Sequence, residues 1–235
     1  MQLQEVMAEL KALGNKQTVK IYRNHGANGD MYGVKIGDMK KVLRKVKGDQ
    51  DLAMQLWDTN NSDAMYMAGL LADGSKMTKT QLNHWAKTAW WDMLSECSVP
   101  GVASENDDPV SLAKKWMKSK KENVAACGWC TYAAVLSIRP DDELDLAEIK
   151  SLLKQVEAEV HDAPNRVRLC MNSFVICVGT YIKPLLRNAK ASAKRIGKVD
   201  ADMGNTSCKI PLATDYIDKV DSMGRVGKKR KTAKC

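Results

Sequence analysis

Apolar residues return at intervals of three and four through one segment after another, and that spacing restricts the chain to helices. Residues 2–13 set the pattern with Leu3, Val6, Met7, Leu10 and Leu13 on one face, followed by Gly14 as a stop. The same spacing runs through residues 109–119, 122–138, 144–160 and 166–182, with Pro140 and Pro164 at the breaks. Period-two alternation is almost absent, and Phe occurs once against thirteen Met. The expectation is eleven or twelve helices and no strand. A chain of 235 residues that is 44% hydrophobic has enough apolar surface to bury a sizeable core.

Helices of similar length joined by short turns tend to stack as antiparallel pairs. The architecture predicted is therefore all-α, an α-α superhelix of HEAT-like helical repeats, or solenoid. An irregular orthogonal bundle is the alternative. Residues 1–223 are read as one domain and 224–235 as a basic tail. Residues 98–108, rich in Pro, Gly and Asn, read as the longest loop, either a hinge between halves or a loop in one continuous fold. Seven Cys, an odd number, with no secretory pattern at the start, point to free thiols and a cytoplasmic protein, nucleoid-associated if bacterial. The apolar run 169–182 is interrupted by Asn172 and Gly179 and reads as a core helix, so no membrane partner is expected.

The charge is uneven. Lys and Arg outnumber Asp and Glu by 37 to 28, and the last eleven residues supply six of the cations and no acid. Residues 163–199 hold eight cations and again no acid. Within them Lys183, Arg187, Lys190, Lys194 and Lys198 fall on one helix face, with Arg195 beside it. A second single-sign face, Lys40, Lys41, Arg44 and Lys45, lies on a helix expected to start at Asp38. Lys228, Lys229, Arg230 and Lys231 sit in the tail, read as a flexible arm on DNA or as a solubilising terminus. Clustering of this kind suits a polyanion, and phosphate contact is the expectation for all three groups.

Cys127-Gly-Trp-Cys130 has neither a second C-x-x-C nor a nearby His, so no metal is expected. Neither a phosphate-binding loop nor a dinucleotide fingerprint occurs, and no cofactor is expected. One stretch could carry chemistry: Trp90-Trp91-Asp92, then Ser95-Glu96 one turn on. On a continuous helix Trp91 and Ser95 share a face, with Trp90 turned toward the core. An indole beside a carboxylate could hold a cationic alkylated purine while the anion stabilises an oxocarbenium-like sugar. Two core tryptophans and a capping acid would look the same.

Over nearly its whole length the chain resembles the AlkD-like DNA alkylation-repair family. The resemblance is carried by Tyr32-Gly33-Val34 leading into the basic helix, and by Leu56-Trp57 followed by residues 64–68. Trp90-Trp91-Asp92, Trp116 ahead of 123–136, and residues 166–181 carry it further. It implies a HEAT-like solenoid that binds double-stranded DNA, alkylated or structured, as a monomer. It also implies excision of N3- and N7-alkylpurines by hydrolysis of the N-glycosidic bond. Trp91, Ser95, Phe174 and Gly128 fall at lesion-binding positions. Active members, however, carry a catalytic Asp at the place of Ser95, an Arg at that of Gly128 and a Trp at that of Phe174. Glu96 or Asp92 would have to supply the anion. Two other readings stand beside excision: a non-catalytic relative that binds damaged or branched DNA, and a helical-repeat scaffold for other proteins.

Overall fold

In a computed structural model that describes residues 1–234, thirteen α-helices account for most of the chain, and among the described residues no strand is present. Local chemistry sets the helix starts. Asn15, Asp49, Asn61, Asp108 and Asp145 each accept a backbone N–H of the first turn. Thr78 and Gln81 form a reciprocal capping box. Pro140 and Pro164 end or precede helices, as their fixed φ and missing N–H require.

The helices fall into two compact units. The first comprises residues 1–107, 203–207 and 234 of the described chain. It contains α1 (Leu3–Ala12), α2 (Lys16–Asn24), α3 (Ile36–Leu43), α4 (Gln50–Asp58), α5 (Ser62–Leu71), α6 (Lys79–Thr88) and α7 (Val99–Ala103). Helix α5 is apolar on every side and is its central element, packed by α1, α3, α4 and α7. Behind it the Trp57 and Trp85 rings stack 4.1 Å apart, and the Trp57 indole N–H donates to Thr88.

The second unit comprises residues 108–202 and 208–233. Its helices are α8 (Pro109–Met117), α9 (Glu122–Ile138), α10 (Leu146–Glu159), α11 (Asn165–Tyr181), α12 (Leu186–Ile196) and α13 (Ala213–Ser222). Helix α9 lies between α8 and α11, and α11 also meets α10, α12 and α13. Helix α11 is thus a core helix, its apolar run buried by protein.

Three local expectations are corrected. The segment 98–108 is not a long loop: Val99–Ala103 is helical and wholly buried, leaving only 104–108 irregular. Burial of every residue there outweighs the weak helix propensity of Pro and Gly. Helix α3 starts at Ile36 rather than at Asp38, with Asp38 in its first turn paired to Lys41 at 2.7 Å. The tail is no free arm, since between residues 224 and 234 it is hydrogen-bonded to the rest of the protein; Cys235 lies outside the described residues. The N–H of Gly227 donates to the Thr180 carbonyl at 2.8 Å, and that of Arg230 to the Ser137 carbonyl at 2.8 Å.

Candidate nucleic-acid interface

Helix α6 ends at Thr88, and the helix bearing Ser95 begins only after Trp91, whose carbonyl accepts the N–H groups of Leu94 and Ser95, both at 3.0 Å. The two tryptophans therefore sit in a corner between helices. Helical phase does not apply to them, and their predicted roles are exchanged. Trp91 is the buried ring, 8% exposed, while Trp90 is half-exposed. Trp91 stacks between Tyr22, 4.9 Å away at 50°, and Trp90, 6.4 Å away at 23°. Its N–H donates weakly to the His25 carbonyl at 3.4 Å. The Trp90 ring rests on Gly29, where a Cβ would lie 2.6 Å from it. The Trp90 N–H is buried without a partner, so the part of the ring that reaches solvent presents carbon.

A π-helical turn, Leu94–Ser98, follows at once and joins α7. Such turns insert a residue into the helical ladder and recur at functional sites. Here the turn carries both Ser95 and Glu96. Ser95 is buried, 3% exposed, and its hydroxyl points back to the Asp92 carbonyl at 3.4 Å. The Asp92 carboxylate accepts the Met93 N–H at 2.7 Å, in the manner of a helix-start acid. Asp92 and Glu96 are both half-buried.

Below the corner lies a group that the sequence reading missed. Asp63, on the first turn of α5, is buried and accepts the N–H groups of Tyr32, Gly33 and Val34 at 2.6, 3.0 and 2.8 Å. Burial holds its carboxyl above the ordinary value, and the three N–H groups pull it part of the way back. Its negative field, after burial itself, also raises the Tyr22 phenol. Asp30 adds a second tie, taking the side-chain N–H of Asn61 at 3.1 Å while its carbonyl takes the Ser62 N–H at 2.8 Å. The loop that carries Gly29 is thereby fixed to α5. The available signal was Asn61-Ser62-Asp63, a helix-start signature facing a Gly-rich loop. Tyr22, Asp63 and Trp91 line a cavity of about 10 Å³, room for one water and not for a purine.

The remaining lesion-binding positions lie in the second unit, in its core. Phe174 is fully buried, edge-on to Trp129 at 5.4 Å and Tyr132 at 5.7 Å. Gly128 faces α8 at a helix crossing, where a Cβ would stand 2.5 Å from the Met117 nitrogen and 2.7 Å from the Ala113 oxygen. An Arg at this place would point into α8, so Gly128 is a packing residue. Along α9 the positions nearest to it that are not buried are Cys130 and Asn123. Cys127 is buried and Cys130 half-buried, both as thiols.

The predicted cationic face of α12 is also changed, because acids arrive from other segments. Lys190 is bound by Asp218 and Asp221 at 2.8 and 2.6 Å. Arg195 makes a two-pronged bond to Glu157, both contacts 2.6 Å, and holds that carboxyl below its ordinary value. Lys198 pairs with Asp200 at 2.8 Å. Among the described residues Lys183, Arg187 and Lys194 carry no ion pair and remain outward. On α3 and the turn after it, Lys41 pairs with Asp38 and Lys45 with Glu9, leaving Lys40 and Arg44 exposed. In the tail Lys229 is held by Asp141 and the Leu136 carbonyl, whereas Lys228, Arg230 and Lys231 are exposed.

Comparison with known proteins decides the family. The sequence model of a family described as "DNA alkylation repair enzyme" matches residues 6–196. This chain belongs to that family. Two Listeria relatives run almost its whole length. Lin0241 of Listeria innocua is 37% identical over 217 residues, covering 90% of this chain and 93% of its own. Lmo0209 of Listeria monocytogenes is 36% identical over the same shares. A solved structure superposes with a TM-score of 0.93 at 35% identity, covering 100% of both chains. It is described as one of a new family of proteins related to the HEAT-like repeat DNA glycosylases with affinity for branched DNA structures. The all-α fold is accordingly the HEAT-like helical-repeat fold that the sequence led us to expect. For a member of the DNA alkylation repair enzyme family, the Trp-Trp corner is in place, and the serine one turn beyond it is buried.

Proposed function

We propose that the protein binds branched DNA through its unpaired cations and the solvent-reaching part of Trp90, and that base excision is not its main activity. The carrying observation is Ser95. It stands where excising members carry a carboxylate, it is neutral and 3% exposed, and its hydroxyl is turned back to the backbone. A hydroxyl in that state provides no anion for an oxocarbenium-like sugar. The solved relative with affinity for branched DNA supports the choice of partner. A four-way junction and a linear duplex of the same sequence, titrated by fluorescence anisotropy, test it. Tighter binding to the junction, weakening steeply with salt, is the expected result. Equal affinity for the two would remove branch recognition, and no binding to either would favour the protein-scaffold reading.

The π turn supports a second reading, excision assisted by Glu96 or Asp92, because such turns cluster at functional sites and this one carries Glu96. Release of 7-methylguanine from alkylated DNA is its measure. Activity that disappears in Glu96→Gln or Asp92→Asn would establish it and displace the first reading.

A further inference from the structure

A concave feature of the second unit lies away from the tryptophan corner, where the C-terminal segment folds back on α11 and α13. It is a cleft of about 450 Å³, within the range of sites that take small organic ligands. Its wall on α13 is formed by Tyr216, Lys219, Val220 and Met223, which are three, four and seven residues apart and so share one face. Tyr216 is 47% exposed and Met223 56%, so this apolar stripe is left open.

The opposite wall comes from the segment after α13. Gly224, with φ +61°, turns the chain, and the Arg225 N–H donates back to the Val220 carbonyl at 3.2 Å. The bond from Gly227 to Thr180 then fixes the segment along α11. Arg225, Lys228 and Arg230 are thereby set around the opening, with the buried, unpartnered Thr180 hydroxyl in the lining. Among the described residues no acid pairs with Lys219, Arg225 or Lys228. Burial first, and then the Cys177 thiol, raise the Tyr181 phenol, and the nearby Arg230 and Arg225 guanidiniums oppose them. An aromatic ring beside an aliphatic thioether, rimmed by unpaired cations, matches a flat base joined to a phosphate.

We infer that this cleft takes an unpaired nucleotide of a DNA strand, its base on Tyr216 and Met223 and its phosphate between Lys219, Arg225 and Lys228. The inference rests on the DNA-binding reading and deepens it. Branched DNA with single-stranded arms, such as a fork or a flap, offers unpaired nucleotides, and a blunt duplex offers none. The cleft residues of α13 and the tail lie beyond the part of the chain matched by the family, residues 6–196. Base stacking on aromatic side chains is tolerant of sequence, as a site for any unpaired nucleotide needs to be.

The test uses the full chain, a blunt duplex, and the same duplex with a short single-stranded extension carrying 2-aminopurine. The extension should tighten binding about tenfold, the scale of one stacked base, and 2-aminopurine fluorescence should fall on binding. Tyr216→Ala should remove most of that gain and leave blunt-duplex affinity unchanged, while Tyr216→Phe retains the gain. Arg225→Ala combined with Lys228→Ala should weaken the extended duplex more than the blunt one. Tyr216 is half-exposed, and an unchanged circular dichroism spectrum would show that the fold is kept. If the extension gives no gain, or the variants weaken both duplexes equally, the cleft assignment is wrong while the DNA reading stands. If the wild-type chain binds neither duplex nor a junction, both fail together.

Discussion

The protein has two aromatic centres that look interchangeable in sequence and are physically opposite. In the first unit Tyr22, Trp91 and Trp90 form a ladder that ends at solvent, on a corner where the chain is between helices. In the second, Trp129, Tyr132 and Phe174 meet edge-to-face with nothing exposed. The first is held by hydrogen bonds from a loop to Asp63, the second by apolar packing between α9 and α11. A resemblance in sequence placed Trp91 and Phe174 at matching lesion-binding positions. Their environments separate them: Phe174, in the middle of a core helix, contributes stability, whereas Trp91, itself buried, backs Trp90, the ring that reaches solvent at the break between helices.

The sharpest way to break that contrast is Phe174→Ala. A fully buried ring lost from a tight cluster should lower stability by about 3–5 kcal/mol, read as a drop in the urea midpoint at unchanged slope. DNA affinity of the fraction that remains folded should be unaffected. If stability hardly moves and affinity collapses, Phe174 is a ligand-facing residue after all.

Asp63→Asn acts on the other centre by a different route. The amide keeps one acceptor oxygen but aims an N–H₂ at one of the three donors that the carboxylate now receives. An orphaned buried donor costs about 1–3 kcal/mol, so a moderate loss is expected. Unlike Phe174→Ala, it should also loosen the loop that carries Gly29 beneath Trp90 and weaken junction binding. Hydrogen exchange at Tyr32, Gly33 and Val34 should rise selectively; protection unchanged there would mean that the loop is anchored elsewhere.

Trp90→Ala should lower the unfolding midpoint less than Phe174→Ala, because the ring is only half-buried. Affinity for a DNA junction should fall by a factor of about 5–150, the range that corresponds to one lost stacking contact. Wild-type affinity in this variant would leave the corner without a role in binding.

The contrast also marks how far the letters alone could go. Apolar spacing located α9 to the residue and α11 to within one, because burial writes a period directly into the chain. The caps at Asn61 and Thr78 are local and carry a sequence signature, yet they went unread. The tryptophan corner was not readable: its geometry depends on where α6 stops and on a π turn, and neither leaves a mark in a period of 3.6. The cations of α12 misled for a related reason. Their stretch of chain contains no acid, but Glu157, Asp218 and Asp221 reach them from α10 and α13. Gly128 seemed the loss of a functional Arg, yet the approach of α8 leaves no room for any side chain.

Two cysteines, one at each centre, allow the comparison to be read with no mutation. Cys97 lies in the π turn beside the tryptophan corner and is exposed. Cys177 follows Phe174 by one turn of α11 and is half-buried, and desolvation of its sulfur pushes the thiol up to about 12. The thiolate is the reactive form. At pH 8 only about one part in ten thousand of such a thiol is ionised, against about a quarter for an ordinary cysteine of pKa about 8.5. A maleimide or iodoacetamide pulse followed by peptide mapping should therefore label Cys97 within the pulse and leave Cys177 almost untouched. The sign with pH follows: a raised thiol pKa withholds the thiolate until the solution approaches that value, so Cys177 labelling should still be climbing well above pH 9. Should Cys177 react as fast as Cys97 at pH 8, the raised Cys177 thiol would have to be abandoned.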